Sequence, residues 1–199
     1  LRNDGRIFRV KDFNKKKLKV KKYETALSEK NDTEGIAYDP RGNCLLIACK
    51  GSPNIDKEEN HSGNRAIYRF DLETRELDNE PRYLINLDKL DNYKDEPGFT
   101  KFSRQLAKKF RMVESETSFM PSGIAIHPLD GKIYLISSIG KLLLVMDREG
   151  KILDIQDLDP ILHRQPEGIC FSPSGELYIS NEGKGGKGYI LKFKPKIYD

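Results

Sequence analysis

Several absences narrow what this chain can do. No apolar run approaches the about 18 residues of a membrane span, and Leu142 to Met146 is only strand-sized. The opening Leu1-Arg2-Asn3-Asp4 has neither the apolar core nor the cleavage pattern of a signal peptide. Leu1 is not an initiator Met, so further sequence is expected upstream. The three cysteines, Cys44, Cys49 and Cys170, form no C-x-x-C pair. Cys44 and Cys49 lie five apart on one strand pattern, face opposite ways and cannot bridge each other. All three are expected to be buried free thiols. His61, His127 and His163 lack zinc-ligand spacing, and His127, beside Pro128, reads as a solvated turn residue. There is no G-x-S-x-G elbow. The glycine-rich run from Gly183 to Gly188 lacks phosphate-loop spacing and precedes a strand, so it reads as a flexible hairpin.

The formal charge is +4, with basic residues concentrated from Lys15 to Lys22. From Leu18 to Tyr23 lysines alternate with apolar residues, the pattern of a strand with one solvated face and an edge blunted by charge. No aromatic residues interleave with the lysines to form a stacking platform, and no nucleic-acid partner is expected.

What the chain does have is a hairpin used three times. Glu34-Gly35-Ile36-Ala37-Tyr38-Asp39, Ser122-Gly123-Ile124-Ala125-Ile126 and Pro166-Glu167-Gly168-Ile169-Cys170-Phe171 each lead into a turn and a second strand. Gly123 and Gly168 are 45 residues apart, and Gly35 and Gly123 are 88 apart. The longer interval holds a charged loop and a segment where Phe99, Phe102, Leu106 and Phe110 form one apolar stripe at helical period. That stripe predicts a helix packed across the outside of the domain.

Four antiparallel strands per period of about 40–45 residues is the pattern of a propeller blade. The expectation is therefore an all-β fold, a β-propeller with one short helical insertion. Residues 1–199 read as a single domain, incomplete at its N-terminus. It divides into a half blade (1–32), a blade (33–88) with its helical insert (89–118), a blade (119–160) and a last blade (161–199).

The three copies, with the run Gly175-Glu176-Leu177-Tyr178-Ile179-Ser180-Asn181-Glu182-Gly183, resemble the SdiA-regulated family, which is distantly similar to NHL-repeat proteins. The resemblance implies a five-bladed propeller of the bacterial cell envelope, periplasmic or surface-anchored. Any membrane attachment would run through a segment absent from this chain. It also implies a calcium site.

Glu34, Ser122 and Glu167 share one repeat position, directly before the inner-strand glycine, and by symmetry they should converge near the axis. Glu182 ends the second strand of the last blade and is expected at the same rim, with Asn181 as a neutral oxygen donor. Carboxylates brought together repel unless a cation or proton lies between them, and hard oxygen ligands suit Ca²⁺. Glu34, Glu167 and Glu182 are thus the candidate metal ligands. A second reading has Glu34 and Glu167 accepting hydrogen bonds from neighbouring loops and tying blades together.

Three functions remain open. The first is a non-catalytic, calcium-binding propeller that takes a protein or small ligand at its rim. The second is a metal-dependent hydrolase of lactones, esters or phosphate esters acting in the central funnel. The third is a metal-free interaction scaffold.

Overall fold

The computed structural model describes residues 1–56, 61–93, 119–183 and 185–194. Among the described residues thirteen strands form four antiparallel sheets, and there is one short helix. β1 (Ile7–Lys11) pairs with β2 (Lys19–Tyr23). The first full sheet runs β3 (Thr33–Asp39), β4 (Cys44–Cys49), β5 (Asn64–Asp71) and β6 (Tyr83–Asn86). The second runs β7 (Met120–Ile126), β8 (Ile133–Ile139), β9 (Leu142–Met146) and β10 (Ile152–Asp157). The last has β11 (Pro166–Phe171), β12 (Leu177–Asn181) and β13 (Tyr189–Phe193). Strand order within each sheet follows chain order, and the first strands β3, β7 and β11 contact one another in sequence. These are propeller blades with their first strands innermost.

The core explains the strand composition. Along β4, Leu46 and Ala48 join one apolar cluster with Ile124, Leu135 and Leu144 of the next blade. The alternate residues Ile47 and Cys49 join a second cluster with Ile7, Leu27 and Phe70 on the side of β1–β2. Leu143 and Ile136 likewise face the last blade, against Ile169 and Ile179. A middle strand with a neighbour on each face buries both, so it reads as a continuous apolar run. Cys44 and Cys49 fall in different clusters, as their spacing requires.

The turns follow from local chemistry. In Ser172-Pro173-Ser174-Gly175, proline presets the second turn position. Gly175 closes the turn at φ +85°, a region that side chains disfavour.

Four expectations are revised. β6 ends at Asn86, whose side chain accepts a hydrogen bond from Lys89 N at 3.0 Å and so caps a helix, α1 (Leu87–Tyr93). Leu87 and Leu90 of that helix are buried in the core. The helical segment expected from residue 89 therefore begins at Leu87, because a capping Asn precedes an apolar pair at helical spacing. The Phe99–Phe110 stripe itself lies outside the described residues. In β2 both faces are exposed, with Val20 at 56%. Alternation anticipated one covered face, but of β2 only Tyr23 is half-buried, its ring meeting Phe70 of the first full blade edge-on at 6.0 Å. Cys170 is exposed, since it points away from the blade that buries its neighbour Ile169. His127 is packed between blades rather than solvated. Its ring meets Phe171 edge-on at 4.8 Å, and its Nδ1 lies 2.9 Å from Asp130 Oδ1.

Candidate functional site: an acidic cluster at the inner-strand bulges

The position shared by Glu34, Ser122 and Glu167 has one structural identity in all three blades. The β3–β4 ladder pairs Thr33 with Cys49 and then Gly35 with Ala48, skipping Glu34. The β7–β8 ladder skips Ser122 between Pro121 and Gly123, and the β11–β12 ladder skips Glu167 between Pro166 and Gly168. Each is the extra residue of a β-bulge, released from the pleat and so re-aimed relative to its neighbours.

The glycine that follows serves a different need. A Cβ on Gly35 would lie 3.0 Å from Ile124 Cγ2 and 3.2 Å from Ile124 N, and a Cβ on Gly123 would lie 3.2 Å from the Glu167 carbonyl oxygen. Inner strands of consecutive blades thus approach closely, and a side chain at either glycine would have to push its neighbour aside.

The three bulge residues do different work. Ser122 is buried, and its hydroxyl donates to the Pro166 carbonyl at 2.7 Å, tying its blade to the next. Glu34 accepts from Lys50 Nζ at 2.8 Å, with both side chains partly shielded. Burial works against the Lys50 ammonium, but Glu34, Asp32 and Glu167 together outweigh it and hold its pKa above the ordinary lysine value. Glu167 has its pKa raised, first by burial and then by the charges of Glu34 and Glu182. A hydrogen bond from Gln165 and the charge of Lys50 oppose that shift without cancelling it. Gln165 also donates from Nε2 to Glu182 Oε2 at 2.7 Å, and its carbonyl accepts from Glu182 N at 2.8 Å.

Glu34, Glu167 and Glu182 therefore lie at one end of the inner strands, with Glu167 under the charge of the other two, while each has a separate local environment. Neither Lys50 nor Gln165 was among the residues singled out from the sequence. A signal for Lys50 was present: it follows β4 where Glu182 follows β12.

As a calcium site the arrangement has some of the right donors. Glu167 and Glu182 supply hard oxygens. Beside them Asn181 is 4% exposed, and neither its amide oxygen nor its amide nitrogen has a hydrogen-bond partner. A buried amide oxygen without a donor is an available neutral ligand. Among the described residues no three His, Cys, Asp or Glu side chains close on one point. Carboxylates alone do not form a cage, and an ion here needs amide oxygen and water as well.

The SdiA-regulated family model matches residues 6–184. The chain belongs to the SdiA-regulated family. Its fold is also that of known propeller-type structures. The structure of a nidogen/laminin complex aligns with TM-score 0.52 at 15% identity, covering 95% of this chain and 59% of that one. A virginiamycin B lyase from Staphylococcus aureus aligns with TM-score 0.47 at 16% identity, covering 98% and 50%. Regucalcin from Agrobacterium tumefaciens, a calcium-binding protein by its description, aligns with TM-score 0.42 at 13% identity, covering 81% and 41%. This SdiA-regulated chain spans about half the length of these structures. No curated protein matches its sequence.

Proposed function

We propose that this SdiA-regulated chain belongs to a non-catalytic, calcium-binding propeller of the bacterial cell envelope that takes a ligand or protein partner at its rim. The observation that carries the calcium reading is the environment of Glu167. Its ionised form is disfavoured by burial and by two neighbouring carboxylates, and Lys50 offsets this only in part. A cation arriving there relieves that strain. Glu167 and Glu182 would hold it, Asn181 and water would add neutral oxygens, and Glu34, still paired with Lys50, would contribute charge without touching the ion. The envelope location is supported by the family resemblance. Among the described residues no helix is long and apolar enough to cross a membrane.

Calorimetric titration with Ca²⁺ after chelator treatment tests the metal. We expect one saturable site, weakened at least about tenfold by Glu167→Gln, in line with the loss of one charged ligand. No heat, or equal binding by the variant, overturns it. A screen of lactones, aryl esters and phosphate esters with Ca²⁺ tests the non-catalytic part. Turnover that chelator abolishes would move the assignment to a hydrolase.

A further inference from the structure

The opposite end of β3 carries a second, chemically inverted feature. Glu34 and Asp39 are five residues apart on that strand, roughly 17 Å at the usual rise per residue. Around Asp39 a cavity of about 460 Å³ opens between the first full blade and the next, within the size range of small-molecule sites. Arg41 of the β3–β4 turn, Arg69 of β5, Arg82 beside β6 and Arg148 of the β9–β10 turn all line it, against only Asp39 and Asp78.

Two of the four guanidiniums are already committed. Arg69 pairs with Asp71 at 2.5 Å and with Asp78 at 3.3 Å. Arg148 Nη2 donates to Asp39 Oδ2 at 2.6 Å, an ion pair whose partners are 22% and 8% exposed. Tyr83 fixes the Arg148 turn from the other blade, its hydroxyl donating to the Arg148 carbonyl at 2.9 Å. The remaining donors are uncompensated. Arg148 Nη1 is buried with no hydrogen-bond partner. Among the described residues Arg41 and Arg82 have no carboxylate partner, and Arg82 lies over the Tyr83 ring at 5.3 Å. Fork-shaped donors left unpaired around a preformed cavity are what recognition of a planar or tetrahedral oxyanion requires. Cys44, also on the wall, has its thiol pKa pushed up by burial and then by Asp39, so it stays a neutral thiol.

We propose that this inter-blade cavity binds a small organic oxyanion through a phosphate or carboxylate group, with Arg41 and Arg82 as the free clamps and Arg148 Nη1 as the buried donor. The site is separate from the acidic cluster and does not depend on calcium. It makes the two ends of the inner strands a cation-receiving end and an anion-receiving end.

Titration with inorganic phosphate and, separately, with citrate, at low ionic strength and without Ca²⁺, tests it. Saturable binding of at least one probe, with Kd below about 1 mM, is expected, and the stronger probe identifies the head group. The double variant Arg41→Gln with Arg82→Gln should bind at least about tenfold more weakly, with Tm unchanged. If the double variant fails to fold, the surface change Arg82→Gln alone must weaken binding by about threefold or more. Absence of saturation with both probes, or equal affinity in the variants, overturns the proposal. Loss of Ca²⁺ binding in the Glu167→Gln variant with oxyanion binding intact shows that the two sites stand or fall independently.

Discussion

Lys50 stands where Glu182 stands two blades later. Each directly follows the second strand of its blade, beside the bulge that carries Glu34 in one case and Glu167 in the other. The same backbone position therefore neutralises one carboxylate and crowds the other. Glu34 has an ammonium at 2.8 Å, whereas Glu167 has the charge of Glu182 added to that of Glu34. One substitution in a repeat has made an asymmetric cluster, with its uncompensated charge on the side of the last blade.

Removing the lysine should separate stability from cation affinity. Lys50→Gln leaves Glu34 without its partner and deprives Glu167 of a favourable charge. For a partly shielded pair the expected loss is about 1 kcal/mol in calcium-free buffer, read by denaturant unfolding. Ca²⁺ affinity in the same variant should rise several-fold, because the competing ammonium is gone. A variant that loses stability but gains no affinity would show that Lys50 serves the fold alone.

The pH dependence of stability follows from Glu167. Its folded pKa lies above its unfolded value, so between the two the native state holds more protons than the unfolded chain. This group's contribution is therefore present at acid pH and lost as pH rises through the raised pKa. Glu167→Gln should make the calcium-free protein slightly more stable at neutral pH, by less than about 1 kcal/mol for so accessible a group. In thermal unfolding that corresponds to a Tm gain of up to about 2–4 °C. The gain should vanish below about pH 4, where the unfolded carboxylate is itself protonated. A variant less stable than the parent at neutral pH contradicts the assignment.

The blade-to-blade seam near the axis should be intolerant of small changes. Gly123→Ala puts a Cβ 3.2 Å from the Glu167 carbonyl, which belongs to the neighbouring backbone and has little freedom to give way. A cost of about 1–3 kcal/mol is expected, as for overpacking elsewhere. Ser122→Ala removes the buried hydroxyl donor to the Pro166 carbonyl, at a cost of about 1 kcal/mol. The two residues bridge the same pair of strands, so a double variant should lose less than the sum. Strict additivity would mean that the seam is not one unit.

The repeat was legible because it is local. The turn chemistry around Pro173, the glycine within each inner strand and the apolar runs of the middle strands all follow from neighbouring residues, and together they specify blades. The recurrence of Glu34, Ser122 and Glu167 located the acidic cluster for the same reason. Some local signals were still passed over. The capping Asn86 before Leu87 and Leu90 marks a helix, and the alignment of Lys50 with Glu182 marks a charge reversal.

The order of residues along the chain specifies the blade: strand periodicity, turns, and a polar residue at each entrance. The tertiary structure alone decided which charges meet. Whether Ser122 ties blades or Glu167 is left crowded depends on the partner contributed by the next blade. The arginine cavity gathers Arg41 and Arg148, more than 100 positions apart, and no spacing rule connects them. Electrostatic work depends on distance through space, and in a propeller that distance is set by how whole sheets pack face to face. The recurring hairpin places each carboxylate at its bulge, but only the packing of neighbouring blades determines what answers it.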